Sequence, residues 1–279
     1  MIIRYFLLHL NLDNTFKNIF KQYVEKKPLI FVTNDDGIFS KGIKSLVEVV
    51  EKFGDIVIIA PDKPQSGMGH AITLNQPLRL NKDLIFSKHE SYTCTGTPVD
   101  CVKLGISEVM KRKPDLLVSG INHGGNISTN VLYSGTMSAA VEGAMENIPS
   151  IGFSLCDFDA DADFEGAKVI VKKTIELVLK NSFPNNICLN VNIPKIPIKD
   201  MKGIKIARQA DAFWEDRFEK RMDQFNKPYY WLTGEFGNFD HGEDTDIFAI
   251  SEGFASIVPT QYDMTSYNAV EEIKKWKLD

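Results

Sequence analysis

Short apolar runs alternate with amphipathic segments along most of this 279-residue chain, and this alternation limits the fold more than any other feature. Each run has the length of a buried strand, and the segments between them place apolar residues at helical spacing. Uninterrupted apolar strands separated by helices are typical of a parallel sheet that is covered on both faces. The sequence therefore predicts an α/β fold with a doubly wound, mostly parallel sheet. The runs are LIFV, DIVIIA, DLLVSG, PSIGFSL and NICLNVNIP.

The segments between the runs carry recognisable helix starts. Ser40 is placed to cap a helix that ends at Gly54, and Thr97 is placed to cap another whose first residue is Pro98. Two more helices are predicted, one rich in small residues and one long and amphipathic. The segments AITLNQPLRL and ESYTCTG are predicted to form exposed strands or a hairpin. The two further helices are GTMSAAVEGAMEN and FEGAKVIVKKTIELVLKN.

The chain divides into an extension and one domain. Residues 1–27 are predicted to be an N-terminal extension whose apolar residues favour an amphipathic helix. The domain spans 28–279, with a core made of 28–195 and of 241–262, where a helix and a strand are expected to rejoin the main sheet. The segment 203–240 is rich in aromatic and charged residues, and it is predicted to form extended strands and loops.

Composition narrows the class of function. Proteins that bind nucleic acid independently of its sequence do so through a basic surface. The net charge of −5 of this chain disfavours that class of protein. The four cysteines form no CxxC pair, which favours buried thiols in a reducing compartment. No apolar stretch approaches the length of a membrane helix. These features predict a cytoplasmic protein that acts on small molecules rather than on membranes or on stably bound nucleic acid.

Two adjacent carboxylates, Asp35 and Asp36, follow the first apolar run in the stretch TNDDG. Asp-Gly favours a tight turn, so one interpretation is that Gly37 only lets the chain reverse. The other is that the carboxylates form a site, because open parallel sheets bind ligands beyond the carboxyl ends of their strands. The stretch alone leaves both interpretations open.

Three polar, glycine-rich loops follow predicted buried strands and are expected to converge at one edge of the sheet: TNDDG, APDKPQSGMGH and GINHGGNISTNVLYSGT. A set of oxygen ligands made of Asp35, Asp36, Asn122 and Ser66 would suit a hard cation such as Mg²⁺ or Mn²⁺. A cation would also offset the repulsion between the paired carboxylates. The alternative is that Asn122 and Ser66 only form turns.

The stretch YSGT opens the helix that is rich in small residues. Ser134 and Thr136 lie near its N-terminus, where free N–H groups favour an anion, although Ser134 is equally suited to simple capping. Asn126, in the preceding loop, is able to donate a hydrogen bond to a phosphoryl oxygen. A cation that faces an anion site is the arrangement needed for phosphoester hydrolysis.

Other motifs fit poorly. The chain has no GxxxxGK[ST] and no GxSxG, and GMGHAI is an incomplete GxGxxG that does not join a strand to a helix. His70 and His123 lie in the loops without a third zinc ligand, so they are interpreted as polar loop residues.

Seven motifs, in order and over roughly residues 29–259, resemble those of the family of the stationary-phase survival protein SurE. Members of this family are metal-dependent 5′/3′-nucleotidases. The resemblance implies a Rossmann-like sheet, one divalent cation in each subunit, and a homodimer or homotetramer formed through the 203–240 segment and the C-terminal tail. The extension 1–27 departs from the family pattern. The motifs are VTNDDGIFSKGI, VIIAPDKPQSG, ITLNQPLRL, GTPVDCVKLG, PDLLVSGINHGGN, VLYSGTMSAAVEG and DTDIFAISEGFASIVP.

The resemblance also implies roles for individual residues. The metal ligands would be Asp35, Asp36, Ser66 and Asn122, and the catalytic residues would be Asp35, Asp36 and Asn126. The phosphate site would be formed by Asn126, Ser134, Gly135 and Thr136, with the backbone of Gly67 nearby.

The leading hypothesis is a metal-dependent phosphomonoesterase that hydrolyses nucleoside 5′- and 3′-monophosphates to nucleoside and phosphate. The alternative is a non-catalytic, nucleotide-binding regulatory module on the same fold, because a fold alone does not establish activity.

Overall fold

The structure, a computed structural model, describes residues 27–277; the predicted extension lies almost wholly outside them. The elements follow one another in the alternating order that the sequence predicts. They are β1 (Leu29–Thr33), α1 (Lys41–Val50), β2 (Asp55–Pro61), β3 (Leu80–Asp83), β4 (Glu90–Cys94), α2 (Pro98–Leu104), β5 (Leu116–His123), the 3₁₀ helix Ser128–Tyr133, α3 (Gly135–Met145), β6 (Ser150–Leu155), α4 (Glu165–Lys180), β7 (Ile187–Ile193), β8 (Gly203–Ile206), β9 (Ala212–Met222), β10 (Pro228–Asn238), α5 (Asp246–Ser251), β11 (Phe254–Gln261) and α6 (Tyr267–Ile273).

Within the described range, nine strands form one sheet in the order β3-β4-β2-β1-β5-β6-β7-β11-β8. The six strands from β4 to β7 in this order are parallel to one another. The strand β3 pairs antiparallel with β4, and β11 pairs antiparallel with β7. The predicted α/β class with a mostly parallel, doubly wound sheet is therefore confirmed.

The central strand β1 shows why its sequence is apolar without interruption. Ile30 and Val32 pack in the same core cluster as residues of α1 and α4, whereas Phe31 packs in a second cluster with residues of α2. Successive side chains of a strand point to opposite faces. Because both faces are covered, every position of β1 from Ile30 onward is buried.

The predicted helix starts are confirmed, but one predicted end is not. The Ser40 hydroxyl accepts a hydrogen bond from the N–H of Ile43, and Thr97 forms a capping box with Asp100. The helix α1 ends at Val50, before Gly54. Gly54 instead lets the residues just before β2 approach the residues just before β1, since a Cβ at Gly54 would lie 2.1 Å from the carbonyl oxygen of Pro28.

The strand predicted from ESYTCTG is confirmed as β4, but the strand predicted from AITLNQPLRL is wrong, because residues 71–79 are irregular and the partner of β4 is β3, which begins only at Leu80. The segment 203–240 contains the extended strands that the sequence predicts. Its strands β9 and β10 pair along their whole lengths as a separate two-stranded sheet, here called the hairpin. The strand β11 lies in the main sheet between β7 and β8. Among residues 27–277, the helices are all too short or too polar to span a bilayer.

Candidate functional site

The loops that follow β1, β2 and β5 lie side by side, because β1 is flanked by β2 and β5 in the sheet. A cavity of about 270 Å³ opens at the carboxyl ends of these strands. Ligands bind in this position in open α/β sheets. The lining residues are Asp35, Ser66, Gly67, Asn122, His123, Gly124, Gly125, Asn126, Asn130, Tyr133, Ser134, Phe158 and Trp214.

The TNDDG stretch is a turn that also presents carboxylates. The side-chain amide of Asn34 donates to the carbonyl of Gly37 (3.0 Å) and to the hydroxyl of Ser40 (2.9 Å). Gly37 has φ +89°, a backbone conformation that residues other than glycine rarely adopt. These contacts tie the turn to the start of α1. The turn therefore holds Asp35 and Asp36 at the end of β1, and the two interpretations of the stretch are compatible.

Asp35 is 4% exposed and lies against the first turn of α3. The hydroxyl of Thr136 donates a hydrogen bond to Oδ1 of Asp35. A Cβ on Gly135 would lie 2.7 Å from the Cβ of Asp35 and 3.0 Å from its Oδ2, so glycine is required for this approach. Burial, and then the charge of Asp36, raise the pKa of Asp35 to about 6 despite the bond from Thr136.

Asp36 is partly exposed and is held from the side of β5. Its Oδ2 accepts a hydrogen bond from the backbone N–H of His123 at 3.2 Å. Burial raises the pKa of Asp36, and the hydrogen bond from His123 opposes that shift. Asp36, Gly135 and Thr136 are not among the residues that line the cavity, although each lies next to one that does.

Ser66 and Gly67 belong to the loop after β2, which backbone hydrogen bonds hold against the site. The N–H of Gln65 donates to the carbonyl of Asp35 at 2.8 Å, and the N–H of Gly69 donates to the carbonyl of Tyr133 at 3.2 Å. Gly67 has φ +72°. These bonds place Ser66 beside Asp35, as predicted from their loops.

A buried carboxylate anchors the far end of the same loop. Nε2 of His70 lies 2.9 Å from Oε2 of Glu142, and Nζ of Lys103 lies 2.5 Å from its Oε1. The side chain of Glu142, on α3, is only 2% exposed. His70 is therefore a polar loop residue, as the sequence indicates, with a defined partner.

Asn122 completes the oxygen set at the end of β5. Its Nδ2 donates to the carbonyl of Gly124 at 2.8 Å, which leaves Oδ1 as its ligand atom. Carboxylate, amide and hydroxyl oxygens suit a hard cation. The raised pKa values of Asp35, which is buried, and of Asp36, which is partly exposed, indicate that a nearby positive charge would stabilise both carboxylates. The donor set of this chain therefore fits a divalent cation. Among residues 27–277 no group of three His, Cys, Asp or Glu side chains forms a metal cluster, so the amide and the hydroxyl would be needed.

Asn126 is held by a buried network of hydrogen bonds that sequence reasoning missed. Its backbone N–H donates to Oδ1 of Asn192 (2.7 Å), its side-chain amide donates to the hydroxyl of Ser154 (2.7 Å), and its carbonyl accepts from Asn190 (2.8 Å). The amide of Asn192 donates to Oδ1 of Asn190 at 3.0 Å. The available signal was two asparagines spaced by two at the end of the apolar run NICLNVNIP, which places them on one face of a strand.

The phosphate residues predicted from YSGT lie at the start of α3. The Ser134 hydroxyl accepts a hydrogen bond from the N–H of Met137 at 3.0 Å, so Ser134 caps the helix, and it also lines the cavity. Capping uses Ser134 as an acceptor and leaves its hydroxyl proton for an anion. Sequence reasoning also missed Asn130, Phe158 and Trp214 in the lining.

The chain matches the family model described as "Survival protein SurE" over residues 30–216. A protein from Flavobacterium johnsoniae named "5'-nucleotidase SurE" is 56% identical over 259 residues, covering 91% of this chain and 99% of the relative. A protein of the same name from Bacteroides fragilis is 44% identical, with 91% of this chain and 99% of the relative covered. The crystal structure of SurE protein from Aquifex aeolicus is 38% identical and superposes with a TM-score of 0.78, covering 88% of this chain and 98% of that chain. The family match, the identities and the shared fold agree, and the chain belongs to the SurE family.

Proposed function

We propose that this protein is a phosphomonoesterase that hydrolyses nucleoside 5′-monophosphates, and also 3′-monophosphates, to nucleoside and phosphate. The observation that carries the proposal is that one cavity is lined by Asp35, Ser66 and Asn122 together with Ser134 at the start of α3. Oxygen ligands for a cation and donors for an anion thus face the same space. The name shared by the curated relatives supports a nucleotide substrate.

In this proposal Asp35, Asp36, Ser66 and Asn122 hold one Mg²⁺ or Mn²⁺ ion. When bound, such an ion supplies Lewis-acid activation of the phosphoryl group and of the attacking water. The residues around it supply geometry. Thr136 and His123 each donate to one of the carboxylates and so fix their orientation.

Phosphate would bind at the start of α3, where backbone N–H groups and the hydroxyl of Ser134 are able to donate to its oxygens. Asn126 and the backbone of Gly67 line the same cavity and would complete this set, with Gly135 and Thr136 shaping it from the first turn of the helix. Asp35 lines the cavity and Asp36 does not, so we assign removal of the proton from the attacking water to Asp35.

Phosphate release from AMP with Mg²⁺ or Mn²⁺ tests this function. The parent protein is expected to turn over, and both Asp35→Asn and Asn122→Ala are expected to lose activity by a factor of at least about 100. Asp62→Asn is the matched control, because Asp62 is an exposed carboxylate at the start of the loop that carries Ser66. Turnover that survives excess EDTA would contradict the cation. Tight AMP binding without turnover under every metal would favour the regulatory alternative.

We also propose that the protein forms homodimers or homotetramers through the hairpin and the segment after β11. This is supported by a row of exposed large apolar side chains there, of a kind that marks interaction surfaces. Light scattering of the parent and of a variant without residues 213–237 tests it.

We place the protein in the cytoplasm, in keeping with the free cysteines Cys94, Cys101, Cys156 and Cys188.

A further inference from the structure

The loop after β2, residues 62–70 and here called the Ser66 loop, presents two groups of the proposed site on a stretch with little support of its own. Ser66, Gly67 and Met68 are exposed. A Cβ on Gly67 would meet nothing within 4 Å, so the chain there lies in open space. Gly67 and Gly69 have φ values of +72° and +56°, and glycine is free to leave such conformations. Contacts at the two ends of the loop must therefore set the position of Ser66.

The two ends are held in different ways. At the first end, the backbone N–H of Gln65 donates to the carbonyl of Asp35 at 2.8 Å. At the second end, Nε2 of His70 lies 2.9 Å from Oε2 of Glu142, and a carboxylate only accepts, so Nε2 is the donor. Within the described part of the chain, His70 is the residue of the Ser66 loop whose side chain makes a hydrogen bond. The second end therefore depends on one side chain.

Glu142 is a firm anchor for that side chain. Its carboxylate is only 2% exposed, and each of its oxygens has one partner: Lys103 of α2 contacts Oε1 at 2.5 Å, and His70 contacts Oε2. A buried carboxylate that loses a partner is strongly destabilised, which favours keeping both contacts. Glu142 thus connects the Ser66 loop to two helices.

The anchor lies on the helix that also orients Asp35. The first turn of α3 carries Thr136, which donates to the carboxylate of Asp35. Glu142 follows six residues later in the same helix, about 9 Å further along its axis. One rigid helix therefore sets both the carboxylate on one side of the cavity and the loop with Ser66 on the other.

We propose that His70 is a positioning residue, which holds the hydroxyl of Ser66 and the backbone of Gly67 in place for the cation and the phosphate through its contact with Glu142. His70 itself is not among the residues that line the cavity. This inference rests on the proposed function and deepens it, since it names what prepares one cation ligand before binding. Residues that orient metal ligands from outside change metal affinity by about 10- to 100-fold when they are lost.

The test measures Mn²⁺ affinity and loop motion in protein without nucleotide. Titration calorimetry of metal-stripped protein gives the Kd for Mn²⁺, and amide hydrogen exchange reports on the peptide that spans the Ser66 loop. His70→Ala is expected to raise the Kd about tenfold and to speed exchange in that peptide. His70→Gln is expected to reverse most of both changes, because the amide of glutamine is able to donate to Glu142.

Two control variants separate positioning from a general loss of stability. Lys103→Ala removes the other partner of Glu142 and leaves the His70 contact in place, so Tm should fall while the Kd and the loop exchange stay at the values of the parent. His89→Ala removes a similar contact, since Nε2 of His89 lies 3.0 Å from Oε2 of Glu51. His89 lies just before β4, at the amino ends of the parallel strands, and its loss should change neither value.

Three results would overturn the role of His70. They are a Kd and loop exchange in His70→Ala equal to those of the parent, an equal rise of the Kd in Lys103→Ala, and no recovery in His70→Gln. The two measurements also separate this role from the proposed function. Faster loop exchange in His70→Ala, in a parent that neither binds Mn²⁺ nor hydrolyses AMP, would keep the anchored loop and remove the enzyme. Mn²⁺ binding and turnover that His70→Ala leaves unchanged would do the reverse.

Discussion

The hydroxyl of Thr136 donates its hydrogen bond to the carboxylate of Asp35 and so joins the first turn of α3 to the end of β1. Both side chains are buried, and Gly135 between them leaves no room for a Cβ. The helix end proposed for phosphate and the carboxylate proposed for the cation are therefore one packed unit. A change in either should disturb the other.

Thr136→Val keeps the shape of the side chain and removes the donor. We expect kcat/KM for AMP to fall by about ten- to a hundredfold and the free energy of unfolding to fall by about 1 kcal/mol, because Asp35 loses a hydrogen bond in a buried place. Thr136→Ser keeps the hydroxyl and should retain most of the activity. Phosphate release and urea unfolding measure the two effects. Equal activities in the valine and serine variants would refute the role of the hydroxyl.

Gly135→Ala tests the close approach directly. The added methyl group would lie 2.7 Å from the Cβ of Asp35, so either the carboxylate or the helix must shift. We expect a destabilisation of about 1–3 kcal/mol and a loss of most activity. Gly166→Ala in α4 is the matched control, since its nearest neighbour would be 3.7 Å away and alanine favours helices. Thermal unfolding of both variants should therefore shift in opposite directions.

Cation binding should stabilise the fold as well as support turnover. At a concentration about a hundred times its Kd, Mg²⁺ or Mn²⁺ is expected to add about 2.7 kcal/mol, which raises Tm by about 5–10 °C for a chain of this size. Asp35→Asn and Asn122→Ala should show little of this shift, whereas Asp62→Asn should show all of it. Differential scanning calorimetry with and without EDTA provides the measurement. A full shift in Asp35→Asn would place the cation elsewhere.

Glu142 predicts a pH-dependent contribution to stability. Burial alone would raise its pKa, but the bonds from His70 and Lys103 outweigh burial and hold the pKa below the ordinary value. The unfolded chain therefore takes up the proton first as pH falls, so the contribution is present at neutral pH and is lost progressively as pH falls below about 4 and through the lowered pKa of the folded state.

Glu142→Gln should accordingly cost about 1 kcal/mol near neutral pH, a modest figure because His70 and Lys103 are partly exposed, and less at about pH 3, below the ordinary pKa of glutamate. Glu146→Gln, at an exposed position directly after α3, should be neutral at both pH values. Urea unfolding at the two pH values compares them. A Glu142→Gln deficit that does not shrink at acid pH would exclude the ion pairs as its cause.

The hydrogen bonds that hold Asn126 lead us to expect that Asn192, in β7, affects hydrolysis although it does not line the cavity. Asn192→Ala leaves the N–H of Asn126 without its buried acceptor, which costs about 1–3 kcal/mol. We expect kcat to fall more than KM rises, because Asn126 loses its position rather than its side chain. Asn181→Ala, an exposed asparagine at the end of α4, is the control for activity. Unchanged kcat in Asn192→Ala would show that Asn126 needs no such support.

The sequence predicted the parts of the site that lie at the carboxyl ends of apolar strands. Asp35, Ser66 and Asn122 are predicted to lie together because parallel strands end at a common edge, and the order of β2, β1 and β5 brings these strand ends together, although Asn122 lies within β5 rather than in the loop after it. Asn190 and Asn192 were missed because polar residues inside a buried strand give no sign of their partner. Trp214 was missed because its position depends on how the hairpin meets the 3₁₀ helix, a contact between segments about 80 residues apart.

The sequence predicted the hydrogen-bonding roles of the YSGT residues Ser134 and Thr136 only in part. Helix capping and anion binding use the same residue types, so Ser134 was expected to do one or the other, and the structure shows it capping while it lines the cavity. The partner of Thr136 was not foreseen, since the sequence does not say which neighbour a hydroxyl near a helix start will face.

The hairpin has two ends with different constraints. Its base is fixed to the 3₁₀ helix through Asp246 and Ser128, whereas its tip, near residues 223–227, lies about 33 Å further along eleven paired positions. Changes in the length or sequence of the tip would not alter these contacts. The hairpin is thus able to vary in sequence at its tip while its base keeps Trp214 in the lining of the cavity.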